Sequence, residues 1–193
     1  MGMAQLAPRF SRDDYMAWES EQAERHEYLN GEVFAMTGAR DAHNTIALNI
    51  ASQFRSKLRG STCRAFIADM KLRLNNADAV FYPDVLVTCD ARDKGQDTDT
   101  AKSHPCLIVE VLSDSTAAYD RGIKFEHYRG IDTLREYLLV EQDRRHIDLF
   151  RRGEDGRWVL EPFGEGKVEL ASLGVGLDLD EIYEDVALTP PTA

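Results

Sequence analysis

The sequence predicts an α/β (α+β) fold, with a mixed, twisted β-sheet flanked by helices and extended by extra antiparallel strands. Three observations predict it. CLIVEVLSDST, Cys106 to Thr116, opens on a run of Leu, Ile and Val that is too short for a helix and ends in a turn, the pattern of a strand covered on both faces. FYPDVLVTCD, Phe81 to Asp90, repeats that character. Upstream of both, DAHNTIALNIASQFRSKLRG spaces Ile46, Ile50, Phe54 and Leu58 four residues apart, an apolar helical stripe.

The elements follow in order. Ser11 is a helix N-cap with acids behind it at Asp13 and Asp14, so a first helix is expected from 11 to about 24, with Tyr15 and Trp18 on its buried face. HEYLNGEVFAM carries Asn30-Gly31, a hairpin signal between two short strands. The second helix starts at Asp41 and ends at Gly60. Asn75-Asn76 and Asp78 mark a turn between two antiparallel strands, and ARDKGQDTDTAKSHP reads as a polar surface loop with solvated acids. A third helix is expected from Ala117 to Arg129, stopped by Gly130. LREYLLVEQ and RRHIDLFRRG are strands, and Glu154-Asp155-Gly156 turns into RWVLEPF. KVELASL is a short strand, a last helix lies around Asp180 to Asp185, and LTPPTA is a frayed end.

At 193 residues, the chain suits one domain spanning 1–193, with its core from about 10 to 185. No apolar run approaches the roughly 18 residues that a membrane span needs. MGMAQLAPRFSRDD has no apolar h-region, which points to a cytoplasmic protein. Cys63, Cys89 and Cys106 form no CxxC and are expected to be reduced, buried thiols. The net charge of -11 argues against a protein that holds nucleic acid by its overall field, so any DNA binding should be weak and salt-sensitive.

Chemistry enters through two misplaced charges. Glu110 sits in the middle of one apolar strand and Asp84 near the start of the other. Taking a carboxylate out of water costs on the order of several kcal/mol, so a cation, hydrogen-bond donors or a metal ion must offset it. Two such acids on neighbouring strands suit Mg²⁺ or Mn²⁺, because hard cations take carboxylate oxygens and keep several waters. With a nearby Lys, that set suits hydrolysis of a phosphodiester.

Pro83-Asp84 followed by Glu110 resembles the PD-(D/E)XK nuclease superfamily. The longer string PCLIVEVLSDST…DRGIKFEHYRGIDTLREYLLVE is similar to one bacterial restriction-endonuclease-like family within it, long labelled a domain of unknown function. The resemblance spans roughly residues 10 to 180. It implies a restriction-endonuclease-like core and a Mg²⁺- or Mn²⁺-dependent endonuclease acting on DNA, with Asp84 and Glu110 as metal ligands. It also implies a homodimer, as is common in the superfamily. The motif's Lys would fall at position 112, where this chain has Leu112, so the resemblance moves the role to Lys124 on the next helix. Asp120, Lys124 and Tyr128 lie four apart on one face of that helix. An additional acid from the N-terminal hairpin is implied, Glu27 rather than Glu32, because E-Y-L-N-G spacing matches at Glu27 to Gly31. His43 is a candidate phosphate contact or proton shuttle, and Ser113 a helix cap.

Basic residues at Lys71, Arg73, Arg121, Arg144-Arg145 and Arg151-Arg152 could track a phosphate backbone or simply be solvated. The alternative reading is a nuclease-fold protein that binds without cutting, or a regulatory partner in a defence or mobile-element system. A glycosidase built on paired carboxylates finds little support in 9% aromatic residues.

Overall fold

The computed structural model describes residues 10–36, 38–95 and 98–188. The rest includes most of LTPPTA, so the expectation of a frayed end lies outside the described residues. Ser11 does cap α1 (Arg12–Glu19): its Oγ accepts from the Asp14 amide at 3.2 Å. The helix stops well short of residue 24, because Glu19 turns inward to accept from the His26 amide and the Tyr82 hydroxyl. β1 (His26–Leu29) and β2 (Glu32–Ala35) close a hairpin across Asn30 and Gly31, whose φ values of 50° and 88° are those a tight primed turn requires.

α2 (Asp41–Lys57) buries Ile46, Ile50 and Phe54 as its periodicity demands, with Leu58 just past its end. Four strands follow: β3 (Arg64–Ile67), β4 (Lys71–Arg73), β5 (Ala79–Phe81) and β6 (Val85–Thr88). Phe81 to Asp90 is therefore not one strand. It breaks at Tyr82-Pro83-Asp84, since Pro83 has no N–H to give a ladder. The break is also a change of sheet.

The remaining strands are β7 (Ala101–Lys102), β8 (Leu107–Leu112), β9 (Glu136–Glu141), β10 (Ile147–Arg152), β11 (Trp158–Phe163), β12 (Lys167–Leu170) and β13 (Val175–Asp178). β5 lies in a five-stranded sheet ordered β2-β1-β5-β4-β7, and β6 in a six-stranded sheet ordered β11-β10-β9-β8-β6-β3. β12 and β13 form a separate ribbon, with β13 an element that its short, Gly-containing sequence did not signal. β8 runs parallel to β9 and antiparallel to β6. Alternate residues of β8 serve two cores: Val109 and Val111 pack with α2, while Ile108 and Leu112 pack with Tyr128, Tyr137 and Leu139. Both faces of this strand are covered, as its unbroken apolar run requires.

The third helix runs through α3 (Ala117–Tyr119), a π-helical turn (Asp120–Lys124) and α4 (Phe125–Tyr128). A short α5 (Leu179–Ile182) closes the described chain. No helix among the described residues is long and apolar enough to cross a membrane.

Two further expectations are corrected. The loop after β6 is not merely solvated: Asp93 is buried, and its carboxylate accepts from the Ser103 and His104 amides and contacts the His104 ring. A buried acid gathers these donors to close the loop on itself. The cysteines are not all reduced. Cys63 and Cys89 form a disulfide, and Cys106 is the free thiol. Arg64 pairs with Thr88 across β3 and β6, so Cys63 and Cys89 come next in register, directly opposite each other.

Arg121, in the π-turn, bonds Asp148 on β10 at 2.6 Å and Glu141 at the end of β9 at 2.7 Å, pinning the third helix to the sheet. Burial pushes the Asp148 carboxyl up, but hydrogen bonds from Arg121 and His146 and their charges outweigh it, so its pKa is lowered. A depressed carboxylate contributes stability above the unfolded value, about 4, and loses it as pH falls through the lower folded value. Asp148→Asn should therefore lower Tm by a constant amount near neutral pH, with the deficit shrinking once pH drops below about 4. Thermal unfolding of both proteins across pH measures this.

Candidate active site

Three elements bring acids to one place. Glu27 comes from β1 in the five-stranded sheet, Glu110 from the middle of β8, and Asp84 from the segment where the chain passes between sheets. Val85 pairs with Val109, which sets Asp84 and Glu110 opposite each other at the next register position. The two are tied reciprocally. The Asp84 amide donates to Glu110 Oε2 at 3.3 Å, and the Val111 amide donates to Asp84 Oδ2 at 2.7 Å.

Lys124 reaches in from the third helix. Its Nζ donates to Glu110 Oε1 at 3.1 Å and lies 3.0 Å from Glu27 Oε1 and 3.2 Å from Asp120 Oδ1. Tyr128, one turn on, donates its hydroxyl to the same Glu110 Oε1 at 2.9 Å. The Tyr82 amide donates to Glu27 Oε1 at 3.2 Å, beside the Pro83 break. The π-turn brings Asp120, Lys124 and Tyr128 to this point together, and the Tyr137 hydroxyl donates to the Asp120 carbonyl at 3.0 Å. Wide turns of this kind recur at functional sites. His43, near the start of α2, places Nε2 3.3 Å from Asp84 Oδ2.

Burial is nearly complete. Glu110 and Asp120 are each 2% exposed, Lys124 6% and Glu27 7%, while Asp84 is partly open. Three carboxylates thus face one ammonium group, with Asp84 beside Glu110 as a fourth acid. Burial raises the Glu110 pKa; Lys124 pulls it down, but Asp120, Asp84 and Glu27 push it further up. Burial opposes the charge on Lys124, yet Glu110, Glu27 and Asp120 outweigh it and hold its pKa well above the usual lysine value. The His43 pKa is raised too: burial works against its charge, but the bond to Asp84 and the charges of Asp84 and Asp120 prevail.

The predicted site residues Asp84, Glu110, Lys124 and Glu27 are brought together, and Tyr128 and His43 join them. Glu32 does not: it is exposed, across the hairpin from Leu29. Ser113 is not the cap expected of it: Thr116 stands at the N-cap of α3, and the Ser113 hydroxyl bonds those of Ser115 and Thr116 in the turn ahead of the helix. Arg145 and Arg151 are engaged with Asp180 and with Glu136 and Glu161, away from the cluster. Asp120, which the sequence places only on the same helix face as Lys124, is a further acid of the cluster. Its four-residue spacing from Lys124 was the signal that could have found it.

Among the described residues, no three or more His, Cys, Asp or Glu form a ready-made metal cage. The donor set nonetheless fits a hard divalent cation. Mg²⁺ is commonly held by one or two carboxylates and several waters, and Asp84 with Glu110 supply two. The surplus of negative charge, which a single ammonium leaves uncompensated, favours an added cation at the same place.

Residues 12–181 match the Uma2 family, described as "Putative restriction endonuclease". Two proteins of Synechocystis sp. (strain ATCC 27184 / PCC 6803 / Kazusa) are similar. The "Uncharacterized protein slr1290" is 38% identical over 181 residues, covering 93% of this chain and 94% of the relative. The "Uncharacterized protein sll1609" is 32% identical over 147 residues, covering 76% and 83%. A crystal structure described as "a putative nuclease belonging to DUF820 from Anabaena variabilis ATCC 29413" superposes with a TM-score of 0.70 at 17% identity, over 91% of this chain and 98% of that one, a likeness of fold. With nearly the whole described chain matched, this protein belongs to the Uma2 restriction-endonuclease-like family.

Proposed function

We propose that this chain is a metal-dependent endonuclease that hydrolyses phosphodiester bonds in DNA. One observation carries the reading: Asp84, just ahead of β6, and Glu110, on the neighbouring β8, are linked through the Asp84 and Val111 amides and share a cluster with Lys124 and a surplus of acid. Asp84 and Glu110 would hold Mg²⁺ or Mn²⁺, which when bound neutralises phosphate charge and lowers the pKa of its water.

The chain's own groups have distinct work. Lys124 keeps its proton, so it acts by charge on the phosphate oxygens and does not take a proton from water. Glu27 and Asp120 hold the Lys124 ammonium, and Tyr128 steadies Glu110. His43 orients Asp84. DNA is the proposed substrate because the family description names a restriction endonuclease. A homodimer would place two such sites for cutting both strands.

Nicking of supercoiled plasmid in Mg²⁺ or Mn²⁺ tests the reading. Asp84→Ala, Glu110→Ala and Lys124→Ala should each lose activity by about 100-fold or more. Calorimetric titration with Mn²⁺ should show the metal affinity falling in Asp84→Ala, and in Lys124→Ala persisting. Plasmid left intact by the folded wild-type protein, with Mn²⁺ affinity unchanged by Asp84→Ala, would instead favour a nuclease-fold binding or regulatory protein.

Binding should be weak and steep in salt, since a chain of net charge -11 must rely on local basic groups. Titration of a short DNA duplex, followed by fluorescence anisotropy at rising ionic strength, should show affinity dropping linearly on a log–log plot.

A further inference from the structure

The three cysteines converge at the end of β6 remote from Asp84, beside the start of β8. Cys63 precedes β3, Cys89 follows β6, and Cys106 precedes β8. Cys63 and Cys89 are joined, and the free Sγ of Cys106 lies 3.6 Å from Cys89 Sγ, in van der Waals contact with a sulfur of the disulfide. Cys106 is held there by its own backbone: its amide donates to the Val87 carbonyl at 2.8 Å. Nothing in the proposed hydrolysis uses this cluster.

We infer that Cys63, Cys89 and Cys106 form an internal thiol–disulfide exchange site, in which the Cys89 sulfur alternates between two partners. The step balances without an outside oxidant or reductant. The Cys106 thiol gives up its proton and its thiolate attacks Cys89 Sγ. A Cys106–Cys89 bond forms, the Cys89–Cys63 bond breaks, and Cys63 leaves as a thiolate that takes up a proton. Attack of a thiolate on the nearer sulfur of a disulfide is the general route for such exchange.

The surroundings suit this direction of transfer. Cys63 is half-buried and lines a groove of about 860 Å³ between the end of α2 and the edge strand β3, so the departing sulfur has an exit. Arg55, Arg59 and Arg64 outnumber Asp69 along the same groove, a balance that favours a thiolate leaving there. Burial pushes the Cys106 thiol up to about 11, with Glu136 adding to it. Little of it is thiolate near neutral pH, so exchange is slow, on the order of minutes to hours. The consequence is a change of staple. With Cys63–Cys89 joined, the edge strand β3 is tethered to β6. With Cys89–Cys106 joined, β6 and β8 are locked together and β3 is held by its ladder to β6 alone.

Trypsin separates the cysteines into peptides 60–64, 74–92 and 103–121, so every pairing has its own mass. The protein is oxidised with oxidised glutathione, desalted and left to equilibrate without it, free thiols are blocked with N-ethylmaleimide at mildly acid pH, and linked peptides are read by mass spectrometry. Two linked species are expected, 60–64 with 74–92 and 74–92 with 103–121, the second accompanied by label on Cys63. Cys106→Ala should lose the second species and the Cys63 label, and Cys63→Ser should convert wholly to the second. A wild-type map holding only the Cys63–Cys89 link, or no internal link, would overturn the inference, even if Cys63→Ser can form the other bond.

Discussion

The ion cluster at Glu110 and Lys124 is the constraint around which the rest is arranged. Each of these charges, removed from water alone, costs on the order of several kcal/mol. Together they are tolerable, because Lys124 and Tyr128 donate to Glu110 Oε1 and the Asp84 amide to Oε2. Yet the neighbourhood overshoots neutrality: Glu27, Asp84 and Asp120 add acid where one ammonium is already shared. A purely structural ion pair gains nothing from that excess, whereas the metal site proposed above would.

That arrangement explains the odd local features of the chain. Pro83 breaks the run from Phe81 to Asp90 so that β5 and β6 can belong to different sheets, and Asp84 sits at the crossing. The same crossing puts the Tyr82 amide on Glu27, joining the hairpin of one sheet to the acids of the other. The π-turn, held at Asp120 by Tyr137 and at Arg121 by Asp148 and Glu141, carries Lys124 inward. Leu112, at the position where the nuclease motif has Lys, is instead free to pack in the apolar core with Tyr128 and Leu139.

The candidate residues were legible to different degrees. Asp84 and Glu110 stood out because a charge in an apolar strand is costly anywhere. Lys124 was legible through its spacing from Asp120 and Tyr128 together with the family resemblance, and Glu27 through the hairpin pattern. Asp120 was legible only through its spacing from Lys124, and the Tyr82 amide and the burial of Asp93 were not legible at all. Each depends on a partner distant in sequence, and a backbone amide leaves no mark in residue identity. The reduced state assigned to all three cysteines failed for the same reason, since their separation along the chain hides the cross-strand register that puts Cys63 opposite Cys89.

Local chemistry settled the elements themselves: the Ser11 cap, the Asn30-Gly31 turn, the apolar stripe of α2 and the doubly covered strand β8 all follow from side-chain periodicity and backbone preference. Which sheet each strand joins, where the third helix widens, and how many acids surround Lys124 were decided only by tertiary structure. Periodicity reports whether a side chain is to be buried, whereas strand partners and long-range ion contacts depend on how separate surfaces meet once the whole chain has closed.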